Sequence, residues 1–314
     1  MNTILTPDAD FFDAVDAAPA EEAEFDREEK NKVVGGTLYL VATPIGNLSD
    51  LSARALKVLS QVDFVAAEDT RNSAKLLSCF GIRKPLVSYY EHNKVTRGPE
   101  IADRLAAGQS CALVTDAGTP AISDPGEDLV RLCAERNIPV LSVPGCCAAI
   151  TALTLSALPT GKFVFEGFLP TGKAERRARL DVLRPEERTM ILYEAPHKLK
   201  NTLSDLEETF GSERQLSLCR ELTKRNEETM RTTVGGAVRY YAEHDPRGEY
   251  VLILAGRCPE EKKAEAYWAN LTPEEHVAAI LQAHPEMKRL DAVKTAAKER
   301  GVPRSEIYNA VMKD

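Results

Sequence analysis

Long hydrophobic runs are missing from this sequence: nowhere do about 18 apolar residues follow one another without a charge, the length a membrane-crossing helix requires. A basic segment leading into an apolar stretch is also missing from the start, which argues against secretion. The seven cysteines, Cys79, Cys111, Cys133, Cys146, Cys147, Cys219 and Cys258, include no C-x-x-C pair, and adjacent Cys146 and Cys147 are poorly placed to bridge each other. Neither a disulfide framework nor a metal site is expected; the odd set reads as reduced, cytosolic thiols.

An excess of basic charge is missing too, since the formal net charge is -8. Its distribution matters more than its sum. Residues 1–32 hold ten acids and three bases, leaving 48 - 10 = 38 acids against 40 - 3 = 37 bases elsewhere, so the body of the chain is close to neutral. A nucleic-acid partner would therefore meet local basic patches rather than a basic protein. The acidic, Pro- and Ala-rich head, residues 1–34, reads as a solvated tail, with an intramolecular mimic of RNA as the alternative.

What is present is an alternation. Residues 37–42 form a near-continuous apolar, β-rich run, as expected of a strand buried on both faces. Helical spacing follows at Leu51, Ala55, Val58 and Leu59, then strands at 62–67 and 111–115, helices at 73–79 and 99–107, and further alternation to residue 157. Strands separated by helices in this way predict a largely parallel sheet covered on both faces over residues 35–159. After a pause at residues 158–161, strand-like runs at 162–166, 188–193, 215–220, 228–234 and 249–255 are less regularly separated by helices. A mixed sheet over residues 160–256 is expected. Residues 257–314 turn helical, with Pro273 opening one helix and Gly301-Val-Pro303 separating two more, in the manner of a helix-turn-helix appendage.

Three small-residue loops follow predicted strands. Thr43-Pro44-Ile45-Gly46-Asn47-Leu48 leaves the first strand at the end where open α/β sheets bind ligands. In Thr115-Asp116-Ala117-Gly118-Thr119-Pro120, continuing through Ile122 to Asp124-Pro125-Gly126, two turns let backbone approach a flat ligand while Asp116 or Asp124 offers hydroxyl contacts. Val143-Pro144-Gly145-Cys146-Cys147-Ala148-Ala149 runs from a strand into a helix start that could hold a carboxylate or ribose edge. Each alone is also compatible with a plain turn or helix packing.

Together, in this order and spacing, the three loops resemble those of the tetrapyrrole methylase superfamily. Longer words, A-E-D-T-R (67–71), F-E-G-F-L-P (165–170), Y-E-A-P-H-K-L (193–199) and R-E-L-T-K (220–224), resemble its ribosomal RNA methyltransferase branch. The porphyrin branch usually carries a carboxylate at Asn47 and Asp at Thr119, which disfavours a tetrapyrrole substrate; the RNA branch more often has small residues or Ser at Cys146 and Cys147. The resemblance implies a two-lobed α/β fold and an S-adenosylmethionine site in the cleft between lobes. Pro44, Gly46, Asp116, Ala117, Gly118, Thr119, Ile122, Cys147 and Ala148 would lie on one side, and Tyr193, Glu194, Arg231 and Thr232 on the other. It further implies a homodimer that methylates the ribose of a decoding-site cytidine in 16S ribosomal RNA of the assembled small ribosomal subunit. A tetrapyrrole-precursor methylase and a non-catalytic ribosome-binding factor are the competing readings.

Methyl transfer to a ribose hydroxyl needs alignment of two substrates and help with one proton. The candidates are Glu68 or Asp69 for the proton, with Arg54 and Arg71 holding phosphate; Asp69 as a helix cap paired with Arg71 is the structural reading of the same residues. His92 reads as a surface residue rather than a base. Gly167-Phe-Leu-Pro-Thr-Gly172-Lys173 matches a nucleotide phosphate loop, but Ala174 stands where the metal-ligating hydroxyl would be. Lys173, Arg176, Arg177 and Arg179 are read instead as a basic helix face toward RNA phosphate, or a solvated charged face. Residues 288–304 carry six bases and two acids, which suits RNA docking or ordinary helix packing.

Overall fold

The computed structural model describes residues 32–257, 268 and 271–311; of the acidic head expected over residues 1–34, residues 1–31 lie outside the described residues. By contact the chain forms two units, Met1–Cys147 and Ala148–Asp314. Among the described residues no helix is long and apolar enough to cross a membrane.

The first unit is built on five strands, β1 (Leu38–Val41), β2 (Phe64–Ala67), β3 (Leu86–Ser88), β4 (Cys111–Val114) and β5 (Val140–Val143). They lie in the order β3-β2-β4-β1-β5, and every pairing is parallel. Apolar runs such as Leu-Tyr-Leu-Val and Phe-Val-Ala-Ala suit this, because a parallel sheet is covered on both faces and has no polar side. On one face α1 (Ala53–Gln61) and α2 (Thr70–Cys79) pack Ala55, Val58, Leu59 and Leu77 against Tyr39, Val65 and Ala112. On the other, α3 (Lys94–Ala106) and α4 (Gly126–Glu135) pack Ile101, Leu105, Leu129 and Cys133 against Leu38, Phe64 and Leu113. Helix α3 starts at Lys94, ahead of the expected start at Pro99, which sits inside it. Asn93 sets that start by accepting from Tyr90 N and donating to Ser88 O, while Pro99 forfeits one helical hydrogen bond. Three residues long, β3 is too short for periodicity to reveal.

The second unit opens with α5 (Ala148–Leu155) and continues through β6 (Phe163–Phe168), α6 (Lys173–Leu183), β7 (Thr189–Glu194), α7 (Pro196–Phe210), β8 (Gln215–Arg220), β9 (Glu228–Thr233), α8 (Val234–Glu243) and β10 (Tyr250–Leu254). The sheet is mixed: its order is β6-β7-β10-β8-β9, with β6 and β7 parallel and the remaining pairs antiparallel. The units divide before α5, ahead of the pause at residues 158–161. Helix α5 belongs with the second sheet because Cys219 Sγ reaches Ala152 O and Arg231 donates to Leu155 O, closing its C-terminus.

Three terminal helices, α9 (Pro273–Ala283), α10 (Arg289–Arg300) and α11 (Arg304–Val311), share a small core of Val277, Ile280, Val293, Ala296 and Ile307. A capping box between Thr272 and Glu275 starts α9, and Gly301 in the left-handed region stops α10. Arg300, one of the six bases counted toward RNA, is turned inward: it donates to His276 Nδ1 and to the carbonyls of Trp268, Leu271 and Thr272.

Candidate functional site

In the first unit the connections leaving β1 and β4 run in opposite directions along the sheet, β1 toward β2 and β4 toward β5. Adjacent strands of this kind open a crevice at their C-terminal ends, where a ligand can meet backbone groups. The loops after β1 and β4 converge there. Thr43 N donates to Gly118 O at 2.9 Å, Gly118 N donates back to Thr43 O at 3.1 Å, and Thr43 Oγ1 donates to Thr115 O. Gly118 has φ +87°, the left-handed conformation that glycine adopts without strain, and a Cβ there would just touch Ile45 Cγ2 at 3.4 Å. Beside this clasp is a cavity of about 230 Å³ lined by Pro44, Gly46, Leu48, Asn72, Thr115 and Asp116.

Asp116 is pinned from the β2 side, accepting from Asp69 N at 3.3 Å and from Asn72 Nδ2 at 3.1 Å. Asp124 answers differently. It accepts from the backbone N–H groups of Ala121, Ile122 and Gly126, and its burial, opposed by those bonds, raises its pKa. It therefore holds the loop rather than offering a hydroxyl contact. Within that loop Ala121 and Ser123 are both left-handed, at φ +66° and +61°, and Ile122 between them stays 41% exposed. Such strain persists only where its surroundings over-determine it, here through Asp124. The third loop is as close: a Cβ on Gly145 would lie 2.8 Å from that of Ala42, and Thr119 Oγ1 donates to Cys146 O at 2.8 Å. Cys147 closes the first unit and Ala148 opens α5 in the second.

The charged candidates of this unit are unequally free. Asp69 caps α2 by accepting from Arg71 N, and also receives Arg71 Nε and Nη2 at 3.1 and 2.7 Å. The Arg71 hydrogen bonds hold its carboxyl down at about 2, and Arg71, with its side chain 85% exposed, is spent on that pair. Glu68 accepts one hydrogen bond, from Thr115 Oγ1 at 3.0 Å, and is less committed than Asp69 and Asp116. Arg54, on α1, is the opposite of Arg71: its Nε is buried and has no hydrogen-bond partner among the described residues. His92 is exposed and lies edge-on to Tyr90.

The second unit separates residues that the sequence reading grouped. Cross-strand pairing puts Glu194, Tyr250, Arg220 and Glu228 in one rung, and Thr232 on the same face, toward α7 and α8. Tyr193 is on the opposite face, edge-on to Phe165 and Phe168, and Arg231 shares that face. Side chains alternate along a strand, so Tyr193 cannot share one surface of the sheet with Glu194 and Thr232. Glu194 is 6% exposed and accepts from Ala195 N and Thr202 Oγ1, which places it in the entry to α7. Thr232 packs so tightly on α8 that a Cβ at Gly236 would collide with its hydroxyl.

The basic face expected on α6 also breaks up. Arg176 has only 12% of its side chain exposed; it pairs with Asp205, 7% exposed, and donates to Pro170 O and Thr171 O. Arg177 pairs with Glu208 and Asp205, and Arg179 with Glu166. Of the four, Lys173 alone has no ion-pair partner among the described residues. The phosphate-loop resemblance fails here as well as at Ala174, since the Glu175 carboxylate leans over Gly172, where an anion would have to sit. Thr43 and Asn72 were not singled out from sequence; each stands beside a residue that was, and only strand order brings them to the crevice.

The pattern of the Tetrapyrrole (Corrin/Porphyrin) Methylases matches residues 37–238. The chain belongs to the tetrapyrrole methylase family. Among this family's members it is similar to "Ribosomal RNA small subunit methyltransferase I" of Synechocystis, 48% identical over 273 residues, covering 87% of this chain and 96% of that one. It is likewise similar to the proteins of that name from Halalkalibacterium halodurans, 47% identical over 87% of this chain and 94% of the other, and from Bacillus subtilis, 44% identical over 88% and 94%. Tetrapyrrole methylase architecture recurs in the solved structure of cobalt precorrin-4 methyltransferase, with a TM-score of 0.51 and 16% identity over 70% of this chain and 95% of that one. The native uroporphyrin III C-methyltransferase of Thermus thermophilus has a TM-score of 0.51, with 17% identity over 70% and 97%. At these identities the two structures speak for the tetrapyrrole methylase fold alone. Of the two departures from the porphyrin branch, Thr119 has a local reason, since it donates a bond that a carboxylate could not; Asn47 Oδ1 accepts from Ser49 N, which a carboxylate would do as well.

Proposed function

We propose that this chain is an S-adenosylmethionine-dependent methyltransferase of the small-subunit ribosomal RNA, acting on the ribose 2'-hydroxyl of a decoding-site cytidine in 16S RNA of the assembled subunit. The reading rests on its high identity to ribosomal RNA small subunit methyltransferases I over most of both chains. The crevice between β1 and β4 supports it. Backbone groups, a glycine that no Cβ could replace without strain, and two residues locked in left-handed conformation suit a ligand held by close main-chain approach.

When bound, S-adenosylmethionine supplies a methyl group on a sulfonium, activated without help from the protein. The chain's own residues have the task of placement. Pro44, Gly46, Ala117, Gly118, Thr119 and Ile122 offer backbone and small side chains to the cofactor, Asp116 offers a carboxylate already oriented by Asn72, and Cys147 and Ala148 flank them. Within the second unit Tyr193 lies on the sheet face opposite to Glu194 and Thr232, which support the sheet rather than a ligand. Glu68, less encumbered than Asp69 and Asp116, orients the ribose hydroxyl or takes its proton. Asp69 and Arg71 shape the start of α2, and the unpartnered Arg54 receives a phosphate. Lys173, without an ion-pair partner among the described residues, stays available to RNA backbone, whereas Arg176 and Arg177 are taken by Asp205 and Glu208. The protein acts in the cytoplasm, as a homodimer.

The test is transfer of labelled methyl from S-adenosylmethionine by the full chain to small ribosomal subunits from cells lacking it, to the naked RNA, and to a tetrapyrrole precursor. Ribose methylation mapped to one cytidine of the assembled subunit is expected. Label on the tetrapyrrole alone, or none on any acceptor, overturns the reading.

A further inference from the structure

The turn after β3 is one part of the first unit that the proposed reaction does not yet use. Parallel strands end on the same side, so their tips follow the order of the sheet, β3-β2-β4-β1-β5. The crevice lies at β1 and β4, and Glu68 stands next to it at the tip of β2, bonded to Thr115 of the β4 loop. One strand further out is the tip of β3. Ala67 pairs with Ser88, and Tyr89 N donates to Ala67 O at 2.8 Å, so Tyr90 leaves the sheet beside the segment that carries Glu68 and Asp69. Neighbouring strands are about 4.8 Å apart, a step within the span of one nucleoside.

The turn is closed on itself. Tyr90 N donates to Asn93 Oδ1 at 2.9 Å, Asn93 N and Lys94 N both donate to Tyr90 O at 3.0 Å, and Asn93 Nδ2 donates to Ser88 O. It is also tied to the start of α4. The buried Tyr89 donates from its hydroxyl to Pro125 O at 3.1 Å, and Lys94 Nζ lies 2.7 Å from both Glu91 Oε1 and Asp128 Oδ2. On this rigid support two rings meet solvent. Tyr90 is 39% exposed, His92 is exposed, and their rings stand 6.2 Å apart at an interplanar angle of 81°. Rings held edge to face do not cover each other, so a flat aromatic surface stays open. Charge narrows what it would take. Lys94 is shared by Glu91 and Asp128, and Arg97 pairs with Glu100, so the turn is better suited to the plane of a base than to a phosphate.

We infer that the Tyr90 ring is a stacking platform for a nucleobase of the RNA segment presented at Glu68. Aromatic side chains on a fixed support are a common seat for unstacked RNA bases, because every base has a π-face and a rigid ring loses little freedom on contact. This rests on the reading of the chain as an RNA methyltransferase. The test uses full-length Tyr90→Ala, Tyr90→Leu and Tyr90→Phe with assembled small subunits, measuring kcat, KM for the subunit, the Kd of S-adenosylmethionine and the urea unfolding midpoint. Tyr90→Ala and Tyr90→Leu are expected to raise the subunit KM about tenfold, and Tyr90→Phe to stay near wild type, with the cofactor Kd and the unfolding midpoint unchanged in all three. A wild-type KM in Tyr90→Ala overturns the inference. So does a wild-type KM in Tyr90→Leu, which would mean that apolar bulk suffices, as at a contact with protein, and so does a defect confined to cofactor affinity or to stability. A wild-type chain that fails on subunits overturns the functional reading itself.

Discussion

The two sheets of this protein treat their charged residues in opposite ways. In the parallel sheet of the first unit every strand ends in the same direction, so polar loop residues collect at one end and stay near solvent: Glu68, Asp69, Asn72, Thr115 and Asp116 bond to one another around an open crevice. In the mixed sheet strands end alternately at both edges, and conspicuous charges are drawn into the fold, as Glu194, Asp205 and Arg176 are. Parallel topology gathers a site from backbone. Mixed topology uses the same residue types as internal fasteners.

This contrast can be broken most sharply at Asp205. Replacing it with Ala leaves the nearly buried Arg176 guanidinium without its carboxylate, and urea unfolding should show a loss of about 3–5 kcal/mol. A loss within about 0.5 kcal/mol would mean that the pair is not a fastener. The first unit should respond the other way to Glu68→Gln: methylation of subunits falls about 10²- to 10⁴-fold, while the unfolding midpoint hardly moves. Smaller again is Gly118→Ala. Forcing a Cβ into the left-handed region costs about 1–2 kcal/mol, and calorimetry should find S-adenosylmethionine bound about tenfold more weakly. The mildest change sharpens the electrostatics. Asp69 titrates at about 2 because of Arg71, below its ordinary 3.8, so the pair's contribution is complete above pH 3.8 and is lost as pH falls through 2. In Arg71→Ala, carboxyl carbon shifts in NMR should show Asp69 titrating above about 2 but still below 3.8, because the backbone N–H of residue 71 continues to donate to it.

Legibility in the sequence followed the same division. In the first unit a buried parallel strand must be apolar on both faces, and its exit loop must be small, so Leu38–Val41, Cys111–Val114 and the loops after them stand out from composition alone. What escaped was short or overridden: β3 has three residues, and Pro99 marks a helix start that Asn93 moves five residues upstream. In the second unit the strands were legible but their faces were not. Tyr193 and Glu194 are neighbours in sequence and opposites in space, and nothing in a run of basic residues on α6 announces that Asp205 and Glu208, a helix away, will claim Arg176 and Arg177. Partner choice across elements depends on register, which periodicity does not carry.

The clasp between Thr43 and Gly118 reaches beyond its local geometry. Its two reciprocal hydrogen bonds form an isolated antiparallel bridge just past the ends of the parallel strands β1 and β4, so the floor of the crevice is stitched to the most protected part of the unit rather than a loop resting upon it. Deuterium should enter those two amides as slowly as it enters the central strands, and a ligand arriving there would find its seat already annealed.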